Sequence, residues 1–160
     1  MRVLLSTLSL LCFLVSCKCN KVASKEDTVM VVTEGSLVTE TNMPNVIYLE
    51  TSRGFYKKIA IDGVRIYVTT VREAKPVFWD LKKSDYQKLS DLYQSIDLQR
   101  LSNLKAPTDK RLVDGATIAT LAFVKDSTTY TSSEFDGGTP PKEIEVFVNE
   151  LISIAKNLNK

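Results

Sequence analysis

Apolar and polar positions alternate most clearly between residues 55 and 70. The stretch reads FYKKIAI, then Asp62-Gly63, then VRIYVTT. Ile59 and Ile61 on one side, and Val64, Ile66 and Val68 on the other, recur at every second position. Side chains two apart in a strand share a face, so the pattern predicts a hairpin with one apolar face. Asp-Gly is the pair favoured by a two-residue type I′ turn, in which both loop residues take positive φ. With that turn Ile61 faces Val64, Ile59 faces Ile66 and Lys57 faces Val68. The other face then carries Tyr56, Lys58, Ala60, Arg65, Tyr67 and Thr69.

The same reading extends along the chain. Val46 to Glu50, VIYLE, predicts a short strand before the hairpin. REAKPVFWDLKK follows as a connection containing Phe78 and Trp79. Ser84 is placed to open a helix, with Gln87 completing a capping box. Tyr86, Leu89, Tyr93 and Ile96 recur at helical spacing and Leu92 widens the stripe, so this helix should end near 95–97. Leu98, Leu101 and Leu104 lie in an irregular segment before Pro107. Ile118 to Val124 and Thr129 to Phe135 predict a second hairpin around Lys125-Asp126-Ser127-Thr128. Thr139 is read as the cap of a last helix, with Pro140 at its first position. Ile144, Phe147, Val148, Leu151, Ile154, Ala155 and Leu158 form its apolar stripe. The order is β-β-β-α-β-β-α. Hairpins imply an antiparallel sheet and both helices must bury a stripe. The expected fold is α+β, a two-layer sandwich with the two amphipathic helices on one face.

Before the domain the pattern changes. Arg2 is followed by an apolar run from Val3 to Val15. That is too short for a spanning helix, which needs about 20 apolar residues. It fits a signal peptide over residues 1–16. Leu14-Val15-Ser16-Cys17 resembles the lipobox of bacterial lipoproteins. The resemblance implies lipidation at Cys17, cleavage before it and stable attachment once two or more acyl chains are present. Residues 17–44, opening CKCNKVASKEDT, read as the lipidated N-terminus and a tether, and 45–160 as a single domain. Cys12 leaves with the signal and Cys17 is alkylated, so Cys19 has no internal partner and a disulfide framework is excluded. Position 18 is Lys rather than the Asp that holds enteric lipoproteins in the inner membrane. By that resemblance the expected place is the outer membrane, facing the periplasm.

Composition narrows the chemistry. The chain has no histidine, which removes Ser-His-Asp and Cys-His catalysis and the usual zinc sites. Its net charge of +2 is too small for the strongly basic balance of a nucleic-acid partner. Asp109 and Asp114 flank Lys110 and Arg111, but such a spacing is ordinary for loop charges. Asp136-Gly137-Gly138-Thr139 has the form of a phosphate cradle, and Asp136 would repel the anion. No Walker, Rossmann or EF-hand pattern is present, and neither a cofactor nor a metal is expected.

Residues 44–157 resemble a domain of unknown function found in secreted proteins and lipoproteins of bacteria, Bacteroidetes among them. The shared features are a strand ending in Asp62-Gly63, Asp114 before the second hairpin and Gly138-Thr139-Pro140 opening the last helix. The resemblance implies no established activity. The expected function is a non-catalytic binding or accessory module, anchored to the membrane by lipid on Cys17 and meeting an envelope protein or glycan. The candidate contact residues are Tyr56, Lys58, Arg65 and Tyr67. The alternatives are a small hydrolase with a carboxylate or Ser/Lys site, and an inhibitor of another secreted protein.

Overall fold

The computed structural model describes residues 43–158. Cys17 and residues 1–42 of the segment read as signal and tether lie outside the described residues. Met43, read as part of the tether, is buried in the core, and its N–H donates to the Tyr86 hydroxyl at 3.2 Å. Seven strands, two α-helices and two 3₁₀ turns follow in order. These are β1 (Asn45–Thr51), β2 (Tyr56–Ile61), β3 (Arg65–Thr69), β4 (Val77–Asp80) and α1 (Lys83–Tyr93), then 3₁₀ turns at Leu98–Asn103 and Lys110–Val113. After them come β5 (Ile118–Lys125), β6 (Thr128–Thr131), β7 (Phe135–Asp136) and α2 (Lys142–Leu158). The strands form one sheet in the order β4-β3-β2-β1-β5-β6, with β7 also on β5, and every pair is antiparallel. The fold is α+β, as the pattern predicts.

One sheet face and both helices close a single core. Val46 and Tyr48 of β1, Ile59 and Ile61 of β2, Ile66 and Val68 of β3 and Leu121 and Phe123 of β5 are buried with Leu89 of α1 and the stripe of α2. Phe123 joins the layers. Its ring lies 5.2 Å from Tyr93, at the end of α1, and 5.2 Å from Phe147 of α2. Tilted and edge-on pairs at that spacing add about 0.5–1.5 kcal/mol each beyond area burial. Leu98, Leu101 and Leu104 recur at every third residue. That is the 3₁₀ period, and it carries Leu101 into the core.

Four local expectations are corrected. First, the connection after the first hairpin contains β4, which pairs with β3 so that Phe78 faces Tyr67 and Trp79 faces Ile66. Second, Thr129 to Phe135 is not one strand. Thr131 faces Ala122 but Phe135 faces Ala119, so one extra residue is absorbed between them. Ser132 N–H donates to Leu121 O at 2.8 Å and Ser132 Oγ accepts from Leu121 N–H at 3.0 Å. Ser133 leaves the ladder, its N–H donating to Leu101 O and its hydroxyl to Leu104 O. Third, neither predicted cap forms. α1 begins at Lys83 with no side-chain cap, and Ser84 bonds Asp85 while Gln87 bonds Asp91. α2 begins at Lys142, because Thr139 N–H closes a turn onto Asp136 O and both prolines precede the helix.

The fourth correction concerns register. Ile61 faces Ile66, Ile59 faces Val68 and Lys58 faces Thr69, two residues away from the I′ arrangement. The Asp62 carboxylate causes the slip. Its Oδ1 accepts the N–H groups of Val64 (3.1 Å) and Arg65 (2.8 Å), and Asp62 N–H donates to Arg65 O. Asp62 therefore ends the ladder, and Gly63-Val64 make the tip. Gly63 takes φ 90 while Val64, β-branched, stays out of the left-handed region. The I′ turn lies instead at Asp126-Ser127, with φ 49 and 64.

Candidate functional site

The face of the sheet away from the helices is built by residues two apart: Tyr56, Lys58 and Ala60 of β2, Arg65, Tyr67 and Thr69 of β3, and Phe78 and Asp80 of β4. Ile47 and Leu49 continue it, half-buried, into β1. No helix among the described residues covers it. Three of the four predicted contact residues meet here. Tyr56, Lys58 and Tyr67 line a groove of about 310 Å³ with Thr69, Glu73 and Pro76. The loop between β3 and β4 forms its wall. Glu73 holds φ 63 there, a left-handed conformation uncommon outside glycine.

Arg65 stands apart from the groove. Its guanidinium lies 5.0 Å from the centre of the Phe78 ring, and its Nε is 3.5 Å from Asp80 Oδ1. An I′ turn at Asp62-Gly63 would set Lys58 across from Tyr67, but the observed register places Ala60 there and Lys58 across from Thr69. Tyr67 instead lies 5.9 Å from Phe78, ring to ring, and its hydroxyl donates to Asp62 Oδ2 at 2.6 Å. That hydrogen bond to Asp62 raises the Tyr67 hydroxyl above its usual range, so it stays a neutral donor. Burial opposes ionisation of Asp62, but hydrogen bonds from Tyr67, Arg65 N–H and Val64 N–H outweigh it and hold the carboxyl below its ordinary value. At the other end Arg72 stacks over Tyr56 at 5.3 Å and donates to Thr51 Oγ1 and Ser52 O. The two tyrosine rings are thus each braced from one side. The groove holds flat apolar surface, one ammonium and one carboxylate, the composition of a binding surface.

The acid groups weighed in the sequence are scattered. Asp109 pairs with Arg111 at 3.0 Å, and Asp114 ends the second 3₁₀ turn at φ 54. The organising group there is Asp136, 1% exposed. Its Oδ2 accepts Thr108 Oγ1 (2.6 Å) and Lys110 N–H (2.8 Å), and its Oδ1 accepts Arg111 N–H (3.0 Å) and Arg111 Nη1 (3.2 Å). Burial raises its carboxyl, yet the bonds from Thr108, Arg111 and Lys110 prevail and bring it down to about 2. Gly137 is packed against Thr117 and Glu50. Asp136-Gly137-Gly138-Thr139 is therefore a structural turn whose carboxylate points into the loop it organises. A third polar cluster joins β1, β2 and Thr117. Glu50 Oε1 accepts Thr117 Oγ1, and its Oε2 accepts Tyr48 OH (3.1 Å) and Lys57 Nζ (3.2 Å). Burial, then the Glu50 charge, pushes the Tyr48 hydroxyl up.

Among the described residues no three acidic, cysteine or histidine side chains gather as metal ligands, and no helix is long and apolar enough to cross a membrane. No protein-family model matches the chain, and no curated protein matches it.

Proposed function

We propose that the chain is a bacterial lipoprotein of the cell envelope, held at the outer membrane on its periplasmic side by lipid on Cys17. Its domain serves as a non-catalytic binding module. The groove of Tyr56, Lys58, Tyr67 and Glu73 on the uncovered sheet face is the observation that carries the binding role. Tyrosines braced before a partner arrives lose little entropy on contact, which is why such rings recur at interfaces. An extended segment of another envelope protein, or a glycan laid flat on the rings, meets those requirements. The anchor rests on Leu14-Val15-Ser16-Cys17 closing an apolar run.

Crosslinking of the full chain in its native membranes tests the reading. Tyr56→Ser with Lys58→Glu is the discriminating variant, since both side chains are half-exposed and line the groove. The expected result is loss of a crosslinked neighbour with a nearly unchanged melting temperature. An unchanged set of neighbours overturns the proposal.

A further inference from the structure

A second cleft opens on the opposite face, where α2 stops short of the outer strands. Its floor is Ile59 of β2 and Val68 of β3, and its roof is Ile152 and Ala155 of α2. It encloses about 350 Å³. Ile59, Val68 and Val77 stand directly across from one another on three successive strands. With strands about 4.8 Å apart, this row makes an aliphatic track roughly 10 Å long. Its exposure climbs from 1% at Ile59 through 6% at Val68 to 58% at Val77. The track therefore begins under the helix and runs outward. Two lysines, Lys57 and Lys156, also line the cleft. Glu50 already pairs with Lys57 at 3.2 Å. Lys156 has no ion pair among the described residues, and it lies in the last turn of α2, where it offsets the helix's negative end.

An aliphatic track beside an ammonium that has no ion pair among the described residues is complementary to a single apolar chain with an anionic head. We infer that this cleft binds a free medium-chain aliphatic carboxylate. The carboxylate lies against Lys156 with Lys57 beside it, and the chain follows Ile59, Val68 and Val77 outward. The site is separate from the aromatic groove, which lies on the other face of the same strands, and the two readings stand or fall independently.

The test uses a photoreactive diazirine derivative of decanoate, added to membranes holding the full chain and followed by peptide mapping. Adducts are expected on the β2–β3 hairpin and on 152–156. Excess decanoate should suppress them at least ten-fold, and decanol should not. Lys156→Glu, at an exposed position, should lower labelling about ten-fold, a loss equivalent to ~1.4 kcal/mol. Ile152→Trp should fill the cleft and abolish labelling, with circular dichroism confirming the fold. If that variant misfolds, Lys156→Glu alone decides. Equal competition by decanol would show a greasy patch without head-group recognition and overturn the inference. Equal competition by phosphatidylglycerol vesicles would make a diacyl lipid the ligand, and adducts confined to other residues would remove the site; either result also overturns it.

Discussion

Gly137 and Gly138 are adjacent, and the fold needs them for different reasons. Gly138 has φ 81 and open space around it, so only its backbone angle demands glycine. Alanine there pays the left-handed penalty, about 1 kcal/mol. Gly137 has no such angle. A Cβ on it would fall on Thr117 Oγ1 and lie 2.6 Å from Glu50 Oε1. The backbone cannot yield easily, because Gly137 N–H donates to Thr117 O at 2.9 Å. Thr117 must turn its hydroxyl away and lose the 2.8 Å bond to Glu50. A hydrogen bond to a charged group contributes about 1.5–3 kcal/mol. Forcing atoms into a filled site costs about 1–3 kcal/mol. Together they place Gly137→Ala between about 2.5 and 6 kcal/mol, a large share of the 5–15 kcal/mol that typically holds a domain folded. Gly54, with nothing within 4 Å, is the control, and alanine there is expected to be neutral or stabilising by up to about 1 kcal/mol. Urea unfolding followed by Trp79 fluorescence and far-ultraviolet circular dichroism gives the three values by linear extrapolation. Thr117→Ala in the Gly137→Ala background removes the colliding oxygen. The double variant should then be at least 1 kcal/mol more stable than additivity allows. If Gly138→Ala proves more damaging than Gly137→Ala, or the double variant is merely additive, close packing is not what Gly137 provides.

Acid should weaken the fold through Asp136. Its carboxyl is lowered from an ordinary value near 4 to about 2 in the folded chain, so as pH falls the unfolded chain takes up the proton first. This contribution is therefore complete above about pH 4 and lost between about pH 4 and 2; Asp136→Asn should flatten that part of the curve in urea midpoints measured from pH 5 to 2. Replacing Asp126 by Asn and Ser127 by Gly fits residues suited to φ 49 and 64 into the I′ turn, and should raise stability by about 1 kcal/mol in the same urea assay. Cys17→Ala should abolish palmitate labelling and leave an uncut precursor; equal labelling of the two proteins refutes the anchor.

What was legible followed from periodicity. The β2–β3 register was off by two residues, yet the faces came out right except at Val64, which the slip moves to the exposed tip. A slip of two keeps the side-chain alternation that a slip of one would reverse. Tyr56, Lys58 and Tyr67 therefore share the uncovered face although none has the partner expected from an Asp62-Gly63 tip. The slip came from a side-chain acceptor competing with the backbone, a choice that residue pairing rules do not contain. The α2 stripe was legible, since Ile144, Phe147, Val148, Leu151, Ile154 and Ala155 are buried and Leu158 is partly buried against the core. Its start was not, because Thr139 serves the turn onto Asp136 before it could serve the helix.

The groove's other wall was out of reach for a related reason. Glu73 and Pro76 sit in an irregular loop with no period to read, and the unforeseen strand β4 together with the bonds of Arg72 to Thr51 and Ser52 fixes where that loop lies. β4 itself was hidden because it is four residues long and exposed at Val77, Phe78 and Asp80, so it lacks the alternation of a half-buried strand. Asp136 is the sharpest case. Beside two glycines it has the composition of a surface turn, while the groups that bury and charge it lie 25 to 28 residues earlier, around Thr108 and Arg111. A carboxylate is kept inside a domain only when its acceptors are filled, and those donors are assembled by the sheet and the second 3₁₀ turn rather than by neighbours in sequence. The same logic separates the two surfaces offered here as binding sites. The aromatic groove depends on alternation within one hairpin and was visible in the chain. The aliphatic cleft depends on where α2 stops relative to β2 and β3, and that is set only when both layers are in place.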